Sequence, residues 1–473
     1  MAARFFLWLA VFTASFVVKA ESYVFPAPSG EATPYVHDTE LTLYANQTLS
    51  AIAQQNIELL IKDTYQTLNR SNAKSALSEI NRRNEGKLPP WLFSALKRCE
   101  AWFNKTEGNI SCRNGALYDY WATYVQSQHG LSRREVRRLA RVARIAEVSF
   151  KSENRLEFSP PIQWDLSEFA ASLAAERIVE YLASLDINSY HISALGLEVH
   201  ASSEGISWQG EIAKERVTQG GGIASAIAHV RPWQRPVMFT GNGVSSEKGV
   251  LSQSDGWPSA KFQAVAVADS AFDAVLLAHF AASQAAQQSM EMVNGEPSLA
   301  LKLIDENGRV FTSDTYTSRT SGKRVKDNKH NAVAIDITLP MFDIADYRGP
   351  YVSVWISDEK NRLIKSLALR GTSERWLGEL RTWWRRVGRK NEGLVDGFSG
   401  ATKKNVPLNI KWDGLDDYGE SVDASSLILH VEVAREHGSR SYEKVPFTLT
   451  DLASPKTVSG MDEIASITLS SLE

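Results

Sequence analysis

Thr402 ends the run Asp396-Gly397-Phe398-Ser399-Gly400-Ala401-Thr402, so its hydroxyl follows the small side chains of Ser399, Gly400 and Ala401. Small neighbours give an enzyme steric access to that hydroxyl, while the same residues suit a tight turn between a helix and a strand. Gly220-Gly221-Gly222 offers backbone amides to a phosphate if a helix starts there, and reads equally as a flexible loop. The nine histidines are scattered and lack ligand spacing. Haem-attachment, zinc-hydrolase, nucleophile-elbow and Walker patterns are absent, so no residue is nominated as catalytic.

Two or three domains must position such groups, because 473 residues with 43% hydrophobic content exceed what one core organises. Charged residues make up 23% of the chain, which excludes a disordered or collagen-like polymer. With 52 Lys+Arg against 55 Asp+Glu, the net charge of −3 excludes a dedicated nucleic-acid binder, whose footprint is strongly basic. Arg4 precedes an apolar run over 5–18, and Val18-Lys19-Ala20 supplies a cleavage site, so residues 1–20 read as a secretory signal peptide. That run is too short for a membrane span, and no later stretch reaches the necessary length. In an oxidising compartment the only two cysteines, Cys99 and Cys112, are expected to pair, with two buried thiols as the alternative.

Apolar periodicity predicts helices over 49–68, 90–103 and 167–185, and a basic helix opened by Ser132 whose arginines form a solvated face rather than a polyanion site. A strand over 264–268 leads into a helix over 270–292. Beyond about residue 328 the chain turns β-rich, with strands over 332–339, 351–357, 408–412 and 427–433 and a Trp-rich helical piece over 374–386. Asp413-Gly414-Leu415-Asp416-Asp417-Tyr418-Gly419 reads as a turn between the last two strands. The polar stretch over 322–330 marks a domain boundary.

The order of segments before that boundary carries a resemblance. Ser75-Ala76-Leu77-Ser78-Glu79-Ile80-Asn81 resembles the S-x-L-S-x-L-N segment of the FAD:protein FMN transferase (ApbE-type) family. Thr106-Glu107-Gly108 through Leu117-Tyr118-Asp119-Tyr120-Trp121 is similar to its T-G-G-A-F-D-P-T-V-G-P-L-x-D-L-W, and Val265-Ala266-Val267 to Phe272-Asp273-Ala274 to its V-x-V-x-A…A-D-A-L-A-T. The similarity spans about 35–314 and implies a mixed α/β flavin-transferase-like domain over 35–322. Members of that family cut FAD with a divalent metal such as Mg and attach FMN to a threonine or serine of a target protein.

Departures fall where that chemistry needs its residues. The family's D-L-G-G-I-A-K-G stands here as Asp165-Leu166-Ser167-Glu168-Phe169-Ala170-Ala171-Ser172, without the glycines or the lysine. Its H-I-I-D-P-x-T-G-x-P stands as Gly249-Val250-Leu251-Ser252-Gln253-Ser254-Asp255-Gly256-Trp257-Pro258. Of the metal pair D-x-x-x-T, Asp273 is kept and Leu277 replaces the threonine, so Asp273 is the one metal-ligand candidate, with a helix-start role as the alternative. A side chain at each lost glycine blocks approach of a phosphate, and Glu168 adds repulsion. A catalytically degenerate scaffold is expected.

Asp396 to Thr402 matches D-x-x-[ST]-G-A-T, the acceptor sequence of proteins that carry FMN on threonine, which makes Asp396, Ser399, Gly400, Ala401 and Thr402 the cofactor-binding candidates. The surrounding region resembles an uncharacterised bacterial periplasmic family through Tyr351-Val352-Ser353-Val354-Trp355-Ile356, Trp383-Trp384-Arg385 and the 412–419 turn. That turn also resembles hairpins of Ig-like domains in flagellar hook-capping proteins, which implies an Ig-like β-sandwich over 330–450 and a tail over 451–473. The overall expectation is an α+β, two-domain periplasmic protein. It carries covalent FMN on Thr402 for electron transfer, with a periplasmic flavin transferase and redox proteins as partners. The alternatives are an active, Mg-dependent FAD:protein FMN transferase and a binding or structural module without flavin.

Overall fold

A computed structural model describes residues 21–26, 40–127, 132–194, 197–201, 225–230, 256–257, 262–305, 307–316, 332–340, 342, 349–371, 374–390, 407–422, 426–435 and 438–472. The N-terminal part runs β1 (Glu21–Pro26), β2 (Glu40–Ala45), α1 (Ala51–Leu68), α2 (Ala76–Arg83), β3 (Glu85–Lys87), α3 (Pro90–Lys105), α4 (Gly115–Ser127), α5 (Arg133–Ile145), β4 (Glu147–Phe150) and β5 (Arg155–Ser159). It continues through α6 (Ala170–Ser184), β6 (Tyr190–Ala194), β7 (Leu197–Ala201), β8 (Ser225–Val230), β9 (Gln263–Ala268), α7 (Ala271–Ser283), α8 (Ala286–Val293), β10 (Ala300–Ile304) and β11 (Val310–Thr312). Its centre is an eight-stranded sheet in the order β1-β2-β6-β7-β8-β9-β10-β11, antiparallel at every pairing.

Alternation along the strands sorts side chains onto two faces. Leu43, Ile192, Val199, Ala266 and Leu301 point to one face, where they share a buried core with Ile57 and Ile61 of α1 and Ile178 and Leu182 of α6. Small residues in β9 let α7 approach closely; α7 lies between this sheet and α6 and is buried almost all round. Its apolar residues therefore show no stripe. The opposite face carries Tyr44, His191, Glu198 and His200 beside Val265, Val267 and Ala300.

The helix expected over 270–292 is two helices, since Gln284 and Ala285 are extended and α8 starts afresh at Ala286. No proline or glycine announces that break. The Phe262 amide donates to the Ala282 carbonyl at 3.1 Å, drawing the end of α7 onto the chain that enters β9.

The C-terminal part has β12 (Val333–Thr338), β13 (Tyr351–Asp358), β14 (Leu363–Arg370), a 3-10 segment Glu374–Glu379 followed by a short helix Arg381–Arg386, β15 (Leu408–Trp412), β16 (Leu427–Ala434), β17 (Arg440–Phe447), β18 (Lys456–Ser459) and β19 (Ser466–Ser471). These form two antiparallel four-stranded sheets, β15-β12-β19-β18 and β14-β13-β16-β17. Alternate residues of both, among them Ile335, Val354, Leu429, Val431 and Ile467, close one core as a β-sandwich. The stretch expected as a tail contributes β18 and β19, and β19 sits between β12 and β18. The boundary over 322–330 lies outside the described residues.

The 413–419 turn joins the two parts. Asp413 accepts the Leu415 amide, Asp416 accepts the Tyr418 and Glu420 amides, and Gly414 and Gly419 take left-handed φ of 79° and 84°. Only glycine adopts that backbone without strain. The turn presents the Asp417 carbonyl to the Val310 amide of β11 at 2.8 Å. Lys365 of β14 reaches the Asp416 carbonyl at 2.8 Å and the Val310 carbonyl at 3.3 Å.

Candidate functional site

Residues of the quoted motifs converge around the starts of α6 and α7. Ser75 caps α2 by accepting the Ser78 amide at 3.0 Å, and Asn81 on the same helix clamps the Trp164 backbone, accepting its amide at 2.8 Å and donating to its carbonyl at 2.9 Å. That clamp fixes the next residue. Asp165 accepts the Ser167 amide and hydroxyl on one oxygen and pairs with Arg70 at 2.9 Å on the other. Arg70 also grips Asp119 of α4 with two bonds of 2.9 and 2.8 Å.

Glu168 points into this junction. It accepts the Tyr118 hydroxyl at 3.0 Å and lies 3.5 Å from His279 Nδ1 of α7. Burial, followed by the Glu168 and Asp165 charges, pushes the Tyr118 phenol well above its ordinary range. Burial pulls the His279 imidazole down to about 4, so it is neutral at neutral pH. Beside them Trp121 and Trp257 meet edge to face at 5.1 Å, and Trp121 donates to the Gly256 carbonyl. Gly256 has φ of 75°, a backbone that side chains rarely adopt, and packs on Leu117 and Val136, each 3.0 Å from where a Cβ would sit.

Asp273 lies in the first turn of α7, where Ser270 is the N-cap and accepts the Asp273 amide at 3.1 Å. One carboxylate oxygen accepts Trp102 Nε1 at 2.8 Å; the other accepts the Ser270 hydroxyl and pairs with Arg98 at 2.9 Å each. Arg98 also pairs with Glu176 of α6 at 2.7 Å, and Glu176 accepts the Phe272 amide. Burial alone would lower the Arg98 guanidinium, but the two carboxylates more than offset it and hold it above its ordinary value.

Cys99 and Cys112 form a disulfide beneath this region. Next to it, Arg113 pairs with Glu100 and donates to the Ala143 and Ala146 carbonyls at 3.0 and 2.9 Å, tying down the end of the basic helix α5. Thr402, with Asp396, Ser399, Gly400 and Ala401, lies outside the described residues, as do Gly220-Gly221-Gly222 and residues 1–20. Trp383 of the Trp-rich helix is buried and Trp384 half-buried.

A model of the ApbE family matches residues 37–301, more than half of the chain. The chain belongs to the ApbE family. Its C-terminal part, residues 332–466, matches a family described as "Predicted periplasmic protein (DUF2271)". Among solved structures it is similar to the flavin transferase ApbE from Vibrio cholerae, with 15% identity, a TM-score of 0.50, and coverage of 64% of this chain and 100% of that one. It is also similar to the Pseudomonas stutzeri flavinyl transferase ApbE in its apo form, at 12% identity and TM-score 0.52, covering 64% of this chain and 98% of that one. For the ApbE protein of Thermotoga maritima the values are 17%, 0.51, 64% and 100%. Identities this low speak for the fold alone. No curated protein matches the chain.

ApbE proteins take FAD and Mg2+ and transfer FMN, but the surroundings of Asp273 do not fit a divalent cation and those of Glu168 do not fit a phosphate. Both Asp273 oxygens are occupied by donors, and a guanidinium 2.9 Å away repels a cation. Glu168 sits against Tyr118 and His279, and its carboxylate charge repels an anion there. Sequence reasoning missed a different group. The statement that no histidines have ligand spacing fails in three dimensions, because β6 and β7 bring His191, Glu198 and His200 together with their ligating atoms within 4.8 Å of one another. The signal was present as Glu198-Val199-His200 on an alternating strand.

Proposed function

We propose that this chain is a periplasmic flavin carrier holding FMN on Thr402 for electron transfer, with its ApbE domain serving as a non-catalytic scaffold or docking surface. The observation that carries this reading is the engagement of Asp273 by Arg98, Trp102 and Ser270, the family's surviving metal-ligand position given over to structure. Glu168 beside Tyr118 and His279 supports it. The acceptor run Asp396 to Thr402 supplies the site, and Asp396, Ser399, Gly400 and Ala401 shape access to the threonine. Trp384, half-buried on the helix preceding that run, offers a planar face to an isoalloxazine. FMN would arrive from FAD through a separate periplasmic flavin transferase, and redox proteins would exchange electrons with it. An Ig-like assignment for the sandwich belongs to the same reading.

The family match over residues 37–301 favours a second reading, an FAD:protein FMN transferase acting on Thr402 or on another protein. Intact mass of the exported protein tests both. Co-expression with an active flavin transferase is expected to add one FMN-phosphoryl mass that disappears in Thr402→Ala. The same addition without the helper enzyme would establish self-modification and overturn the non-catalytic scaffold. No addition under either condition would overturn the carrier.

A further inference from the structure

We propose that His191, Glu198 and His200 form a binding site for one zinc-type transition-metal dication, on the sheet face turned away from α1, α6 and α7. The register of β6 and β7 sets His191 directly opposite His200, with Glu198 two residues before His200 on β7. Residues two apart on a strand share a face, and directly opposed partners have Cβ atoms about 5 Å apart. Three side chains therefore leave the sheet from adjoining points.

Their chemistry fits a borderline dication. Two imidazoles and one carboxylate are a donor set for zinc and its 3d neighbours, whereas magnesium takes oxygen ligands. All three residues are buried, Glu198 at 0% exposure. Among the described residues neither ring nitrogen of His200 has a hydrogen-bond partner, although buried polar groups are nearly always satisfied. Such a nitrogen, in its neutral form, has a lone pair for a metal. His200 Nε2 is 3.4 Å from Glu198 Oε2, a spacing that two donors of one zinc ion share. The two imidazoles stack at 4.4 Å with planes 6° apart. Turning a ring about χ2, a broad torsion, aims its nitrogen at the shared point. Tyr44 stacks on the other side of His191 at 5.4 Å and limits where that ring can go. Three protein ligands leave a fourth position for water or another group.

This site is separate from Asp273, whose helix packs on the other side of the sheet, and it does not depend on what Thr402 carries. The test uses the untagged mature chain, stripped with chelator, loaded with Zn2+, desalted and assayed for metal. Parallel Co2+ loading is read by visible absorption. About one zinc per chain and low-coordinate Co2+ bands are expected, with at least tenfold weaker zinc binding in His200→Ala and in Glu198→Gln. His191→Phe keeps a ring against Tyr44 and is expected to keep its metal-free melting temperature while losing the rise that Zn2+ gives the wild type. A wild-type chain that retains no zinc would overturn the proposal, as would stoichiometric zinc that survives His191→Phe and His200→Ala.

Discussion

The Asp273 carboxylate lies 2.9 Å from the Arg98 guanidinium, so the first turn of α7 is held by an arginine from α3. Arg98 holds Glu176 of α6 as well, and the three residues tie three helices together. Asp273→Asn keeps one oxygen, for Trp102, places an amide nitrogen against Ser270 and loses the ion pair to Arg98, with an expected cost of about 1–2 kcal/mol. Arg98→Met is expected to cost more, because it leaves two carboxylates facing each other. Urea midpoints check both. An Asp273→Asn protein of unchanged stability that loses Mg2+ binding would return Asp273 to the role of metal ligand.

The Cys99–Cys112 disulfide spans a separation of 13 residues. Closing a loop of that size removes unfolded-state entropy worth about 3 kcal/mol. The Cys99→Ala/Cys112→Ala double variant is expected to lose that much stability, and in doing so to loosen the Arg113 contacts at the end of α5. The oxidised wild-type protein should weigh two hydrogens less than the reduced one.

Elements with strong periodicity were legible in the sequence. Expected helices over 49–68 and 90–103 correspond to Ala51–Leu68 and Pro90–Lys105, and Ser132 caps α5 as its position implied. The asparagine ending the Ser75–Asn81 motif could be recognised, but its work as a backbone clamp on Trp164 required the fold. β19 reads as polar Ser and Thr alternating with Ile467 and Leu469, a weak signal that gains meaning only when β12 lies beside it. His191 and His200 are nine positions apart, a separation without metal-site meaning until a hairpin register makes them neighbours.

Glu432 is buried on the outer side of β16 and accepts the Thr382 and Trp383 amides at 2.9 and 2.7 Å, while Arg440 supplies the opposite charge. A carboxylate at the start of the helix Arg381–Arg386 answers both the unpaired amides and the helix dipole. Glu432→Ala would leave Arg440 and those amides without this acceptor, at a cost of about 3 kcal/mol. Hydrogen exchange should then rise over residues 381–387 before the rest of the sandwich responds. Uniform protection in the variant would mean that Trp383 packing alone holds the helix.

His430 sets a pH limit on the sandwich. Its Nε2 meets the Ser357 hydroxyl and its Nδ1 the Tyr442 hydroxyl, both at 2.7 Å, and its ring stacks on Trp355 at 4.6 Å. Burial, with Lys444 and Arg386 adding to it, lowers the imidazole from 6.5 to about 4. Burial gives His279 in the other domain the same shift. Below pH 6.5 the unfolded chain binds protons that these folded sites refuse until about pH 4. Stability from the two histidines is therefore intact above 6.5 and lost as pH falls toward 4. Urea midpoints measured across that window should decline, and His430→Gln should flatten the decline by one proton's share. An unchanged slope in that variant would mean that His430 titrates near its ordinary value and that other groups govern the acid limit.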